Sequence, residues 1–136
     1  MSRSRRATAV LWAAISALSL AALVLTVLGW NEMLTRDAVS NLAAVPAAVL
    51  YATLGVLVIR RAGNVIGWFL LGVGAGTAVM MLGSAYAVLG LAHPGTLPAP
   101  QLAGLLAEWS FVPIFMGVAF MLLLFPTGRL PSPRWR

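Results

Sequence analysis

Residues 65–91 read VIGWFLLGVGAGTAVMMLGSAYAVLGL, a run with no charged side chain and no proline. A helix rises ~1.5 Å per residue and the hydrocarbon core of a bilayer is ~30 Å thick, so about 20 apolar residues are enough to cross it. Working outward, three further stretches meet the same condition: residues 7–30, 38–59 and 102–125. The expectation is an all-α membrane protein of four transmembrane helices joined by short loops, forming a single transmembrane domain, with residues 126–136 as a juxtamembrane tail.

Composition agrees with that reading. Of 136 residues, 61% are hydrophobic and 9% charged, against roughly 25% charged in an ordinary soluble domain. A small globule has too much surface for its volume to hide so many apolar side chains, and large exposed patches would remain. Lipid is the solvent that suits them.

The net charge is +6, and basic patches can neutralise nucleic-acid phosphates. Here every basic residue is an arginine placed near the end of an apolar run. Arg3, Arg5, Arg6, Arg60, Arg61, Arg129, Arg134 and Arg136 fall on one side of a four-span topology, and Arg36 alone falls on the other. That asymmetry is the positive-inside pattern. It predicts a multi-pass protein of the cell membrane with both termini cytoplasmic and arginines near anionic lipid, and no nucleic-acid partner. A cleaved signal peptide is the competing reading of the N-terminus, but the first apolar run exceeds the usual 7 to 15 residues and lacks a clear small-x-small exit before Trp30.

The connections fit hairpins between spans. Asp37 is placed to cap the second helix. Gly63 can take a left-handed conformation after it, and Asn64 can cap the third helix. The third span is followed by HPGTLPAPQ (93–101), whose three prolines disfavour regular structure and which carries no arginine, as suits the outer side. Trp30 and Trp109 lie near outer boundaries and Trp68 and Trp135 near inner ones, where indoles anchor helices.

A few residues suggest more than spanning. Gly76, Gly83 and Gly90 recur every seven residues and so share one helix face, with Gly72 and Gly76 as a small-xxx-small pair. In lipid such a stripe lets another helix approach closely, either one of this chain, which is favoured, or one of a second subunit in a homodimer. Glu108 is an ionisable group about one turn into the fourth span, which is either functional or satisfied by the interface, Ser84, Tyr86 or a loop amide. Pro46 and Pro113 interrupt the second and fourth spans and can kink them or act as hinges.

Nothing in the pattern supplies catalysis. The acids Glu32, Asp37 and Glu108 all lie on the outer side, and there is no lysine, no cysteine and one histidine, His93. No phosphate-cradling glycine loop followed by lysine is present, since the glycines of residues 72–76 sit within an apolar span. No enzyme activity, cofactor or metal is expected of these residues.

Two segments resemble the N-terminal membrane region of actinobacterial two-component sensor histidine kinases. IRRAGNVIGW (59–68) is similar to a pattern of arginines followed by Gly-Asn-Pro-Ile-Gly-Trp. LLLFPTGRLPSPRWR (122–136) is similar to Leu-Leu-Phe-Pro-Asp-Gly-Arg-Leu-Pro-Ser ending in Arg-Trp-Arg. Val65 stands where proline is usual, a mild change because the first turn of a helix has unpaired N–H groups anyway. Thr127 stands where aspartate is usual and alters a cytoplasmic turn. Arg60, Arg61, Trp68, Arg129, Arg134, Trp135 and Arg136 match the pattern and mark topology and interface positions.

The resemblance implies a membrane-embedded module for sensing and signal transduction. In such kinases a phosphoacceptor domain and an ATP-binding domain follow the membrane region, and neither lies within these residues. Two alternatives stand beside it: a small membrane partner or regulatory subunit of a membrane complex, and a small transporter or channel subunit built on Glu108, Pro46, Pro113 and the glycine stripe.

Overall fold

The computed structural model describes residues 3–124. They form five helices and, among the described residues, no strand: α1 (Arg3–Leu28), α2 (Thr35–Ala62), α3 (Ile66–Ala92), α4 (Pro100–Trp109) and α5 (Phe111–Leu124). By length and apolarity four segments can cross a membrane, Arg5–Leu28, Thr35–Ala62, Ile66–Ala92 and Pro100–Leu124, the last made of α4 and α5 end to end. Four apolar helices are consistent with a multi-pass membrane protein. Phe125, Arg129, Arg134, Trp135 and Arg136 lie outside the described residues.

The side chains are sorted in the sense that lipid demands. Large apolar groups such as Val10, Leu20, Leu50, Leu106, Phe115 and Leu122 point outward and are exposed, whereas the interior holds small residues, among them Ala22, Ala38, Ala48, Ala52 and Ala85. The largest fully buried side chains are Thr8, Ser19 and Thr26, all on α1. With lipid outside there is no hydrophobic gain from hiding leucine, so the helices pack through small residues and polar contacts instead.

α3 is the hub. It packs against α1, α2, α4 and α5, and it is the most buried of the four spans, while α4 and α5 touch neither α1 nor α2. The reason lies in its glycines. Against α2, Gly67 opposes Gly55, and a Cβ on either would stand 2.7 Å from the other's carbonyl oxygen; a Cβ on Gly74 would stand 2.8 Å from that of Ala48. α2 answers with Ala38, Asn41, Ala48, Ala52 and Gly55, buried at steps of three, four or seven residues that keep one seam toward its neighbours.

The helix ends depart from the sequence expectation in instructive ways. α1 stops at Leu28 rather than Trp30, and a turn closes through Glu32 and Met33 N–H groups onto the Gly29 carbonyl. α2 begins at Thr35 with Leu34 as the flanking residue and no side-chain cap, so Asp37 is not the cap. It sits inside the first turn, where its charge faces the positive end of the helix dipole without accepting a capping bond. At the other end Gly63 adopts φ 59° and donates to the Ile59 carbonyl at 3.1 Å, and Asn64 Oδ1 accepts the Ile66 N–H at 3.1 Å, which together make the α2–α3 hairpin.

The two prolines behave differently. α2 runs unbroken through Pro46. The fourth span is broken at Ser110, because Pro113 has no N–H for the Trp109 carbonyl and its ring crowds that carbonyl. Ser110 takes up the discontinuity: its N–H is shared between the carbonyls of Leu106 and Ala107 at 3.0 and 3.2 Å, and its hydroxyl donates to Leu106 at 2.6 Å.

Candidate functional site

The glycine stripe is a contact within the chain. A Cβ on Gly76 would lie 2.7 Å from Ile114 Cγ1, one on Gly83 2.7 Å from the Ala103 carbonyl oxygen, and one on Gly90 2.6 Å from Pro100 Cβ. All three therefore seat the fourth span and the loop before it. Gly72 is not part of this face: nothing lies within 4 Å of its Cβ position, and it borders an open groove between α1 and α3 with Trp68, Ile15 and Leu18. The Gly72 and Gly76 pair is thus split between two faces of α3.

Glu108 does not reach Ser84 or Tyr86. The Ser84 hydroxyl donates to the Met81 carbonyl and the Tyr86 hydroxyl to the Pro98 carbonyl, the latter pinning the loop before α4 to α3. Because α4 starts at Pro100, Glu108 lies eight residues along it, about 12 Å from its start at ~1.5 Å per residue. That is deeper than one turn. It is exposed beside Trp109, Phe111 and Val112, on a face that no other helix covers among the described residues.

At the end of the bundle holding Gly63, Arg60 joins α2 to α1. Its Nε donates to Thr8 Oγ1 at 3.4 Å and a terminal nitrogen donates to the Arg5 carbonyl at 3.3 Å. Trp12 adds a second tie, its indole N–H donating to Thr53 Oγ1 at 2.9 Å while that hydroxyl donates to the Val49 carbonyl. Trp12 and Arg60 are thus packing residues. Arg61 and Trp68 are exposed.

The opposite end carries the most organised polar cluster. Asn41 of α2 is only 5% exposed. Its Nδ2 donates to Thr26 Oγ1 of α1 at 3.3 Å and to Ser84 Oγ of α3 at 3.4 Å, so one amide ties three helices. Both hydroxyls already spend their protons on carbonyls, Thr26 on Ala22 at 2.8 Å and Ser84 on Met81 at 3.0 Å. They can only accept from Asn41, which fixes the amide with its nitrogen toward them.

Beside this amide is a cavity of about 400 Å³, lined by Glu32, Met33 and Leu34 of the α1–α2 turn, Asp37, Ser40 and Asn41 of α2, and Met81, Ser84 and Val88 of α3. Glu32, Asp37 and Ser40 are exposed at its rim. The sequence pattern puts Glu32 on the outer side, makes Asp37 a helix cap and gives Asn41 no role. Thr26, Asn41 and Ser84 stand 15 and 43 residues apart, and only the packing of three helices brings them together.

Among the described residues no group of three or more His, Cys, Asp or Glu side chains converges as a metal site. No family model, curated protein or solved structure matches the chain.

Proposed function

We propose that this chain is a membrane-embedded sensor module of the kind that precedes the catalytic domains of a two-component histidine kinase, and is itself non-catalytic. The observation that carries the reading is the double role of α3. At one end it walls the polar cavity through Met81, Ser84 and Val88. Along its glycine face it alone, among the described helices, packs against the fourth span. That span leads into residues 122–136, the stretch with the stronger resemblance to the kinase membrane regions. A shift of α3 against α1 and α2 has one route to the fourth span, and that route ends at the resembling segment.

In this reading both termini face the cytoplasm of a cell membrane, with Arg5, Arg6, Arg60 and Arg61 at the inner surface near anionic lipid headgroups. The cavity then opens on the outer side. The test is genomic and direct: the same reading frame or its neighbour should encode phosphoacceptor and ATP-binding domains and a response regulator. An intact locus with none of these rejects the kinase connection.

A second reading, a subunit docking onto another membrane protein, is favoured by Glu108. A carboxyl group on an uncovered helix face about 12 Å along a span is costly against lipid unless a partner meets it. Loss of co-purifying membrane protein on Glu108→Gln would support that reading, and unchanged recovery would count against it.

A further inference from the structure

The geometry points to the cavity between the α1–α2 turn, α2 and α3 as a binding site for a small organic ammonium ion, an amine-bearing ligand with a short aliphatic body. The inference gives the sensor reading a ligand class but does not depend on it, since binding to the isolated chain is measurable without any kinase.

The first support is what Asn41 leaves over. Its nitrogen is held by Thr26 and Ser84, and those hydroxyls fix the orientation of the amide. Oδ1 therefore points away from them, and among the described residues no group donates to it. The residue is 5% exposed and borders the cavity. Ser16 and Ser19 hold the enclosed unpartnered side-chain oxygens among the described residues, and Asn41 Oδ1 is not one of them; it remains accessible, and a ligand N–H entering the cavity would give it a donor.

The second support is the charge and composition of the walls. Glu32 and Asp37 stand on the rim with no cation among the lining residues; Arg36, between them in sequence, does not line the cavity. Two carboxyl groups and an amide oxygen are all acceptors. They suit a ligand that carries several N–H donors and a positive charge. Met33, Leu34, Met81 and Val88 form the apolar part of the wall, beside Ser40 and Ser84; these four side chains suit an aliphatic chain and offer no oxygen to a hard cation. A calcium ion takes 6–8 oxygens and usually several carboxylates, and no third acid converges here among the described residues.

The site also has the placement to transmit. Its residues belong to the α1–α2 turn, α2 and α3. An ammonium group bonded to Asn41, Glu32 and Asp37 would draw the turn and α2 together beside the α3 wall formed by Ser84.

The experiment uses the full chain in nanodiscs of neutral phosphatidylcholine, so that amines have no anionic lipid to bind. n-Butylammonium, tetramethylammonium and calcium chloride are titrated and followed by ligand-observed NMR and calorimetry. Saturable n-butylammonium binding is expected, with tetramethylammonium, which has no N–H donor, and calcium at least about tenfold weaker. Glu32→Gln combined with Asp37→Asn, both on exposed side chains, should weaken n-butylammonium about tenfold or more. Glu108→Gln should leave it unchanged.

Absent saturation, equal affinity for tetramethylammonium or calcium, or full affinity in the rim double variant would each overturn the assignment. Because the readout is binding alone, failure of the kinase connection leaves this result standing, and the reverse also holds.

Discussion

At the residue scale, Asn41 and Gly63 illustrate two different ways in which one side chain sets the fold. Asn41 donates across three helices, and interhelical hydrogen bonds in membranes contribute ~0.6 kcal/mol each on average, up to ~1.7. Asn41→Ala should therefore lower stability by about 1 to 2 kcal/mol in steric-trap unfolding within bicelles, without changing the helix content. Gly63 holds φ 59° with nothing within 4 Å of its Cβ position, so Gly63→Ala isolates the backbone cost of the left-handed region. A loss of about 1 kcal/mol is expected by the same measurement. Gly63 and Asn64 were readable because the turn chemistry is local, the bonds closing within a few residues. Asn41 was not, because its partners lie on other helices. Asp37 was misread by three residues' difference in where α2 begins, which is enough to turn a cap into a first-turn charge.

At the element scale, period decides what is legible. Gly76, Gly83 and Gly90 fall on one helix face by spacing alone, and they meet α4, α5 and the preceding loop. The second seam, Gly55 with Gly67 and Gly74 with Ala48, is divided between two helices, so no spacing within one helix reveals it. The glycine face predicts that Gly83→Leu pushes α4 off α3, because a side chain there meets the Ala103 backbone rather than a yielding side-chain tip. Amide exchange in α4 should quicken while that in α1 and α2 is unchanged, since α4 touches neither. Pro113 was expected to kink its span, and the break at Ser110 is where the missing N–H would have been felt. Pro113→Ala should join α4 and α5 into one helix, seen as slow exchange of the amide newly present at position 113. Fast exchange there would assign the break to the Ser110 hydroxyl instead.

At the scale of the whole molecule, four spans follow from four apolar runs, but the arrangement around α3 does not follow from hydropathy, which says only that a helix can enter lipid. The nearest signal is that α3 carries six glycines, Gly67, Gly72, Gly74, Gly76, Gly83 and Gly90, more than any other helix; a helix touching four others needs small residues on several faces. The orientation predicted from arginine placement is open to thiol labelling, since the chain has no cysteine of its own. Thr96→Cys should react with a membrane-impermeant maleimide in intact cells and Arg61→Cys only after permeabilisation, and the reverse pattern would invert the topology. The central claim, that α3 carries the fourth span of its own chain, is tested most directly by a disulfide. A Cβ on Gly104 would stand 3.4 Å from Ala87 Cβ, close to the ~3.5–4.5 Å typical of a disulfide. Ala87→Cys with Gly104→Cys should oxidise in native membranes to an intramolecular bond in a species of monomer mass. A bond found only in a dimer, or none at all, would contradict the account.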